Sequence, residues 1–333
     1  MLRIAHLHDD QSAGDQARYL TFLASDPVLA ATAEHRVIPV SRFAAGLASL
    51  DAQIIVSHLP LTPQSLPGLM ALRARYPRAT LVHVEYIHCE GSVVAARNRA
   101  RLRALLRSGY ALFNHVVALG AAQADWMRRH ALVGPAQLVV IPPCADFEPF
   151  ASLPAPSCRV RRISALGRLH RQSGFDILIE AFGFVTDPEA RLDIFGDGPQ
   201  RAELRALARH DLRIRLHGNT TRVAAMRHAD AIAFPSRWQA SALMAREAQA
   251  AGRPVLHSGR DGLADLQGAG LVSVADLSVA AWSRALSDVL ATPPQVAAAP
   301  VDQARQMTLQ GWQALLERLP SRQRSEGSAF ATI

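Results

Sequence analysis

Ser236-Arg237-Trp238-Gln239-Ala240-Ser241-Ala242-Leu243-Met244-Ala245-Arg246-Glu247, followed by Ala251-Gly252-Arg253-Pro254-Val255, is the stretch on which the reading of this chain turns. The apolar run Ala231–Phe234 ahead of it reads as a buried strand. Small and polar residues then make a tight loop, and Ala242–Ala251 has helical spacing with a single acid. Gly252 and Pro254 stop that helix ahead of a second strand, Pro254–Ser258. Strand, loop, helix, strand is the repeating unit of a doubly wound parallel sheet. Ligands of such sheets sit beyond the carboxyl ends of the strands.

The alternation extends in both directions. Arg161–Leu166, Ala190–Phe195 and Arg213–His217 read as strands, with helices over Gly174–Val185 and from Pro199 to about Arg209. Two helices close the chain, Val279–Leu290 and Asp302–Leu319, joined by the Pro/Ala-rich connector Thr292–Pro300. Upstream, Arg3–Leu7, Arg36–Val40, Ile54–Ser57, Thr80–Val84, His115–Leu119 and Gln137–Ile141 read as strands between helical patterns. The longest of those helices is expected over Val93–Phe113. Ala151–Ser157, small, polar and proline-bearing, is the linker candidate. The expectation is an α/β protein of two doubly wound halves, 1–153 and 154–300, facing across a cleft, with 321–333 as a frayed tail.

Composition agrees with two cores. The chain has 333 residues, beyond the usual size of one hydrophobic core. Apolar residues make up 49% and charged ones 19%, which excludes an intrinsically disordered chain. No apolar run reaches the length of a membrane span, and the chain opens directly on a strand, so a cytosolic protein is expected. Net charge is +8, and every basic residue is Arg, a bias that a GC-rich genome produces. A basic excess suits an anionic small ligand or an anionic membrane surface. Nucleic acid is not expected, since the arginines are dispersed and no zinc-finger, RNA-recognition or helix-turn-helix pattern is present. Cys89, Cys144 and Cys158 match no metal spacing and no disulfide framework, so buried reduced thiols are expected.

Three segments bear chemistry. Gly196-Asp197-Gly198-Pro199 follows a strand and opens a helix, where glycines permit close backbone approach and free amides attract an anion. It lacks the third glycine of a dinucleotide fingerprint, since Arg201 stands there, and a plain structural turn is the competing reading. Gly167-Arg168-Leu169-His170-Arg171-Gln172-Ser173-Gly174 ends another strand, and the Arg168 fork suits a diphosphate or, alternatively, plain solvent. Glu247 in an apolar helix needs a polar partner: the diol of a ribose, or an arginine such as Arg246 or Arg253.

Taken together, Gly167–Gly174, Gly196–Pro199 and Ser236–Glu247 resemble the donor-binding half of the retaining GT-B glycosyltransferases, family 4 (glycosyl transferases group 1). Val140-Ile141-Pro142-Pro143-Cys144-Ala145-Asp146 resembles that family's end-of-first-domain signature, and Trp312 falls where members carry Trp in a last helix that returns to the first domain. The resemblance implies that Arg168 grips the donor diphosphate, with Ser173 standing where members have Lys. It implies that Gly167, Gly196, Gly198, Ser241, Ala242 and Leu243 line the donor, that Glu247 binds the ribose, and that Gln239 stands where members have a first glutamate. In the first domain, Tyr86 takes the place of a His lining the donor-sugar pocket, with His83 or His88 as substitutes, and His8, Asp9, Asp10 and Gly14 form the first strand–helix loop.

The activity implied is retaining transfer of a hexose from a UDP- or GDP-linked sugar, without a metal or cofactor, to a saccharide or polyprenyl-linked saccharide in bacterial polysaccharide biosynthesis. The expected catalytic set is Arg168, Gln239, Tyr86 and His88. Arg97, Arg99, Arg101, Arg103 and Arg107 would lie on a basic helix, either a solvated face or a peripheral contact with the inner face of the cell membrane. Because Gln239, Ser173 and Tyr86 depart from the family pattern, a catalytically attenuated binding or scaffold partner of a glycan assembly system is a second reading. A nucleotide-sugar epimerase on the same fold is a third.

Overall fold

Ile54–Ser57 is buried along its whole length, as a strand covered on both faces must be, and Ala231–Phe234 is buried in the same way. Each lies inside one of two parallel six-stranded sheets. The computed structural model describes residues 1–9, 14–41, 43–47, 49–157, 159–296 and 301–318. Asp10, Cys158, the end of the connector before Val301 and the tail at 321–333 lie outside the described residues.

In chain order the strands are β1 Leu2–His8, β2 Ala33–Pro39, β3 Ile54–Ser57, β4 Thr80–Glu85, β5 His115–Ala118, β6 Leu138–Val140, β7 Arg162–Leu166, β8 Arg191–Phe195, β9 Ile214–Leu216, β10 Ala231–Phe234, β11 Val255–His257 and β12 Leu271–Ser273. The helices are α1 Asp15–Ser25, α2 Pro27–Thr32, α3 Leu66–Arg75, α4 Glu90–Val94, α5 Arg99–Tyr110, α6 Ala121–Arg129, α7 Glu148–Ala151, α8 Phe175–Phe182, α9 Arg201–Ala208, α10 Arg222–Arg227, α11 Leu243–Ala250, α12 Val279–Ala291 and α13 Val301–Glu317.

The chain divides into two compact units, Met1–Asp146 with Asp302–Ile333, and Phe147–Val301. The division precedes the expected linker. Phe150 of α7 is fully buried in the second unit's core, and Arg253 Nη2 donates to the Pro154 carbonyl at 2.8 Å, so Ala151–Ser157 is tied to the second unit. The last helix, α13, belongs to the first unit, where Trp312 Nε1 donates to the Tyr19 hydroxyl at 2.7 Å and Thr308 Oγ1 to the Pro142 carbonyl at 2.7 Å.

The first sheet runs β2-β1-β3-β4-β5-β6 and the second β12-β11-β10-β7-β8-β9. Strand order reverses between β1 and β3 in the first and between β7 and β10 in the second, so the loops leaving those strands splay apart and open a crevice at the carboxyl edge. In the second unit the flanking loops are Gly167–Gly174 and Pro235–Ala242, two of the segments picked out from sequence.

Other differences have local causes. The helix expected over Val93–Phe113 is two helices, because Asn98 turns extended and its side chain caps α5 through the Arg101 amide at 2.9 Å. Helix α10 starts at a Thr221 cap bonded to the Ala224 amide at 3.2 Å. Strand β12 is a half-exposed edge without the apolar run that marks an inner strand. Cys89 and Cys144 are buried, and neither forms a disulfide among the described residues.

Candidate functional site

At the switch point of the second unit, the loop after β7 carries Arg168 outward. Its side chain is exposed, and among the described residues no side chain or carbonyl is bonded to the guanidinium. Ser173, five residues on, turns inward: its hydroxyl donates to the Arg168 carbonyl at 2.7 Å and closes the loop. Arg237, on the loop after β10, fastens the two loops together. Its guanidinium makes a bidentate pair with Asp176 at 2.7 and 2.6 Å and donates to the Arg171 carbonyl at 2.9 Å, while its amide donates to the Gln172 carbonyl at 2.8 Å. Burial pulls the Asp176 carboxyl up, but the Arg237 bonds outweigh it and hold the group below the ordinary carboxylate value.

The glycines after β8 serve the protein's own backbone. A Cβ at Gly196 would collide with the Gly167 carbonyl oxygen, and one at Gly198 with that of Leu169. The close approach expected there is thus between the carboxyl ends of β7 and β8. Pro199 lies in a turn before α9, not in its first helical turn, because the Asp197 side chain accepts from the Gly198 amide at 2.8 Å and delays the helix to Arg201.

Gln239 is engaged at both ends of its side chain. Oε1 accepts from the Ser236 hydroxyl at 2.8 Å and Nε2 donates to the Ser241 carbonyl at 2.9 Å. Its backbone is clamped as well, with the Gly262 amide donating to its carbonyl at 2.8 Å and its own amide donating to Asp261 Oδ2 at 3.3 Å. Asp261 holds a left-handed backbone, φ 50°, a conformation that marks a position specified by its surroundings. Ser241, Ala242 and Leu243 are buried, and the Ser241 hydroxyl accepts from the Leu243 amide at 3.2 Å, starting α11. Further along α11, Glu247 is 0% exposed and pairs with Arg222 Nη1 at 2.9 Å. The first residue of α10 is thus an arginine partner of this acid. Arg253 is itself buried and donates to the Met226 and Pro154 carbonyls.

In the first unit, Tyr86 and His88 lie on the turn leaving β4. That turn is shaped by Glu85, which is 1% exposed. Its carboxylate accepts from the Ile87 and His88 amides at 2.8 and 2.9 Å and from the Tyr110 hydroxyl at 2.8 Å. Burial pushes this carboxyl up, yet His88, the His83 bond and the backbone amide bond bring it down to about 2, so it stays ionised. Tyr86 is bonded through its hydroxyl to His58 Nδ1 at 3.0 Å, and His88 Nε2 donates to the Leu61 carbonyl at 3.1 Å. His83 points into the core against Tyr110 and Phe113. The half-exposed pair on this edge is Tyr86 and His88, and His83 is not part of it.

Glu85, His58, Asp261 and Arg222 were not singled out from sequence. For Glu85, an acid at the end of an otherwise apolar strand was the available signal. On α5, Arg107 donates to the His130 and Ala131 carbonyls at 2.8 and 3.1 Å and Arg99 and Arg101 are exposed, while Arg97, also exposed, precedes the Asn98 cap and is not on the helix. Among the described residues no cluster of three or more His, Cys, Asp or Glu side chains is disposed to hold a metal ion, and no helix is long and apolar enough to cross a membrane.

Residues 160–292, from the start of β7 to the end of α12, match the family model of glycosyl transferases group 1. That match lies within the second unit. The whole chain shares its fold with solved glycosyltransferases. Anabaena HepE, solved in complex with UDP and glucose, is 17% identical with a TM-score of 0.68 over 95% of this chain and 100% of that one. Sucrose-phosphate synthase from Thermosynechococcus elongatus is 19% identical, TM-score 0.72, over 99% and 100%. WaaG, a glycosyltransferase involved in lipopolysaccharide biosynthesis, is 17% identical, TM-score 0.63, over 92% and 95%. The two parallel six-stranded sheets with flanking helices make this a GT-B fold. No curated protein sequence matches the chain.

Proposed function

We propose that this protein transfers a hexose from a UDP- or GDP-linked sugar to a saccharide or lipid-linked saccharide acceptor in bacterial polysaccharide assembly, with retention at the anomeric carbon and without a metal. The observation that carries the reading is Arg168: an exposed guanidinium on a switch-point loop of the segment that matches the group 1 model, with the loop itself braced by Ser173 and by the Arg237–Asp176 pair. Such an arginine lowers the barrier by stabilising the diphosphate as it departs. In this reading the donor phosphate oxygen takes the acceptor proton, so no side chain acts as general base. Glu247 takes part in ribose recognition through the Arg222–Glu247 pair, and Tyr86 and His88 face the transferred sugar. Gln239 holds the donor loop in shape.

A lipid-linked acceptor would bring the protein to an anionic membrane surface from the cytoplasmic side, and Arg97, Arg99 and Arg101 are the exposed cations available to meet it. The attenuated, partner-type reading has one observation in its favour. Gln239 is held on both sides within its own loop, at the position where an acid would face the donor.

The test is calorimetric titration with UDP- and GDP-sugars alongside an assay of nucleoside diphosphate release. Binding with release in the presence of a saccharide acceptor is the expected result. Binding without release for every acceptor tried favours the partner reading, and no nucleotide binding at all rejects both.

A further inference from the structure

On one side of the first sheet, three imidazoles and a phenol form a single file across four neighbouring strands. His35 Nδ1 meets His6 Nε2 at 2.9 Å, His6 Nδ1 meets His58 Nε2 at 2.9 Å, and His58 Nδ1 meets the Tyr86 hydroxyl at 3.0 Å. His35 is on β2, His6 on β1, His58 directly after β3 and Tyr86 directly after β4, following the spatial order β2-β1-β3-β4. His6 is 0% and His58 2% exposed. Trp312 of α13 packs edge-on against His6, and Tyr19 of α1 edge-on against Tyr86, closing the file from above.

Burial above all, with His58 and His35 adding, lowers the His6 imidazole well below its ordinary value, and burial brings His35 to about 4 and, with His83 and His8, His58 to about 3. All three rings are therefore neutral at pH 7, and each carries one hydrogen on one nitrogen. Because every link joins two ring nitrogens, or a ring nitrogen and the phenol, the hydrogens must all point the same way. The file has two registers. In one, each Nδ1 carries the hydrogen, His58 donates to the Tyr86 oxygen, and the phenol hydrogen is left to point away from the file. In the other, Tyr86 donates to His58, each Nε2 carries the hydrogen, and the last one sits on His35 Nε2.

His35 Nε2 decides between them. It is buried and, among the described residues, has no hydrogen-bond partner. A buried N–H without an acceptor is the rarest kind of orphan, and a buried acceptor without a donor is better tolerated. The first register avoids the orphan N–H. Tyr86 is part-buried at the carboxyl edge of the sheet, where ligands of such folds bind.

We propose that His35, His6 and His58 form a hydrogen-bond wire of fixed polarity that leaves Tyr86 as an obligatory neutral donor to an oxygen of the nucleotide-sugar. The ligand part rests on the function proposed above; the polarity does not. Tyr86 touches the ligand, and the three histidines act as positioning residues. The oxygen it meets belongs to the transferred sugar or to the diphosphate, both of which accept hydrogen bonds.

The test is nitrogen NMR on protein labelled with 15N-histidine at neutral pH, with resonances assigned through single His→Phe variants. Bare Nε2 and protonated Nδ1 at His35, His6 and His58 are expected; a protonated Nε2 at His58 overturns the proposal. Tyr86→Phe removes the outer acceptor, so each register then leaves one orphan N–H, and His35, three links away, is expected to change from one tautomer to a mixture while the far-UV spectrum is kept. An unchanged His35 also overturns it. Titrating UDP and UDP-glucose into wild type and Tyr86→Phe separates the two oxygen sources. A loss of roughly tenfold, the worth of one hydrogen bond, for UDP-glucose alone identifies the sugar, and for both the diphosphate. Binding equal to wild type for both rejects the outward donor. If neither probe binds wild type, the nucleotide-sugar reading fails, while the nitrogen shifts still decide the polarity.

Discussion

The side-chain amide of Gln239 donates to the backbone carbonyl of Ser241 at 2.9 Å. A carbonyl only accepts, so this contact fixes the amide nitrogen on that side and the amide oxygen towards the Ser236 hydroxyl. A glutamate cannot reproduce the pattern, since one of its oxygens would face the Ser241 oxygen. We expect Gln239→Glu to destabilise the second unit by about 1–3 kcal/mol and to leave turnover no higher than wild type. Thermal unfolding and nucleoside diphosphate release check this; a rise in turnover at unchanged stability would show that the acid belongs there after all.

The Arg222–Glu247 pair is nearly sealed from water at its acid end. Removing either partner takes away a 2.9 Å charge-assisted bond at a carboxylate that is 0% exposed. Arg222→Met and Glu247→Gln are each expected to cost about 1–3 kcal/mol, with the double variant losing less than the sum of the two. A double-mutant cycle by urea unfolding measures the coupling. Independent, additive losses would mean the pair is incidental.

Arg168 is exposed and carries no structural bond among the described residues, so its replacement should leave the fold alone. Arg168→Gln is expected to keep the wild-type melting temperature and to weaken binding of a nucleoside diphosphate by about 2 kcal/mol, roughly thirtyfold. A variant that binds as well as wild type would remove Arg168 from the site.

Stability should fall with acid over a window set by the buried imidazoles. In the unfolded chain they take up protons near their ordinary value of 6.5, whereas folded His35 does so only at about 4 and His58 only at about 3. Between those limits the unfolded state binds more protons, so stability is fully present above 6.5 and declines as pH falls. The shift of His58 alone corresponds to at most about 5 kcal/mol. Urea midpoints measured from pH 7.5 to 4 should drop steadily. His58→Phe, which has nothing to protonate, should flatten that decline; an equally steep one would assign it to other groups.

Much of the fold was legible because inner parallel strands are continuous apolar runs. Ile54–Ser57 and Ala231–Phe234 were placed to the residue for that reason. The half-exposed edge β12 gave no such run, and the break before α5 depended on one capping side chain, Asn98. The segments flanking the second switch point were visible as sequence, but their internal roles were not. That Ser173 closes its own loop and Gln239 braces its own follows from loop geometry alone. His6 is 29 residues from His35 and 52 from His58, and Arg222 is 25 from Glu247. Only the sheet order and the packing of α10 on α11's side bring such partners together.

The bond between Trp312 and Tyr19 joins residues 293 positions apart in the chain. During synthesis the ribosome delivers β1 to β6 first, then the whole second unit, and only afterwards the helix whose indole covers His6. The amino-terminal half must therefore wait, with one face of its sheet open, while the carboxyl-terminal half is made and can fold around its own core. In time, the order of completion reverses the order of the sequence: the part of the protein that begins first is finished last.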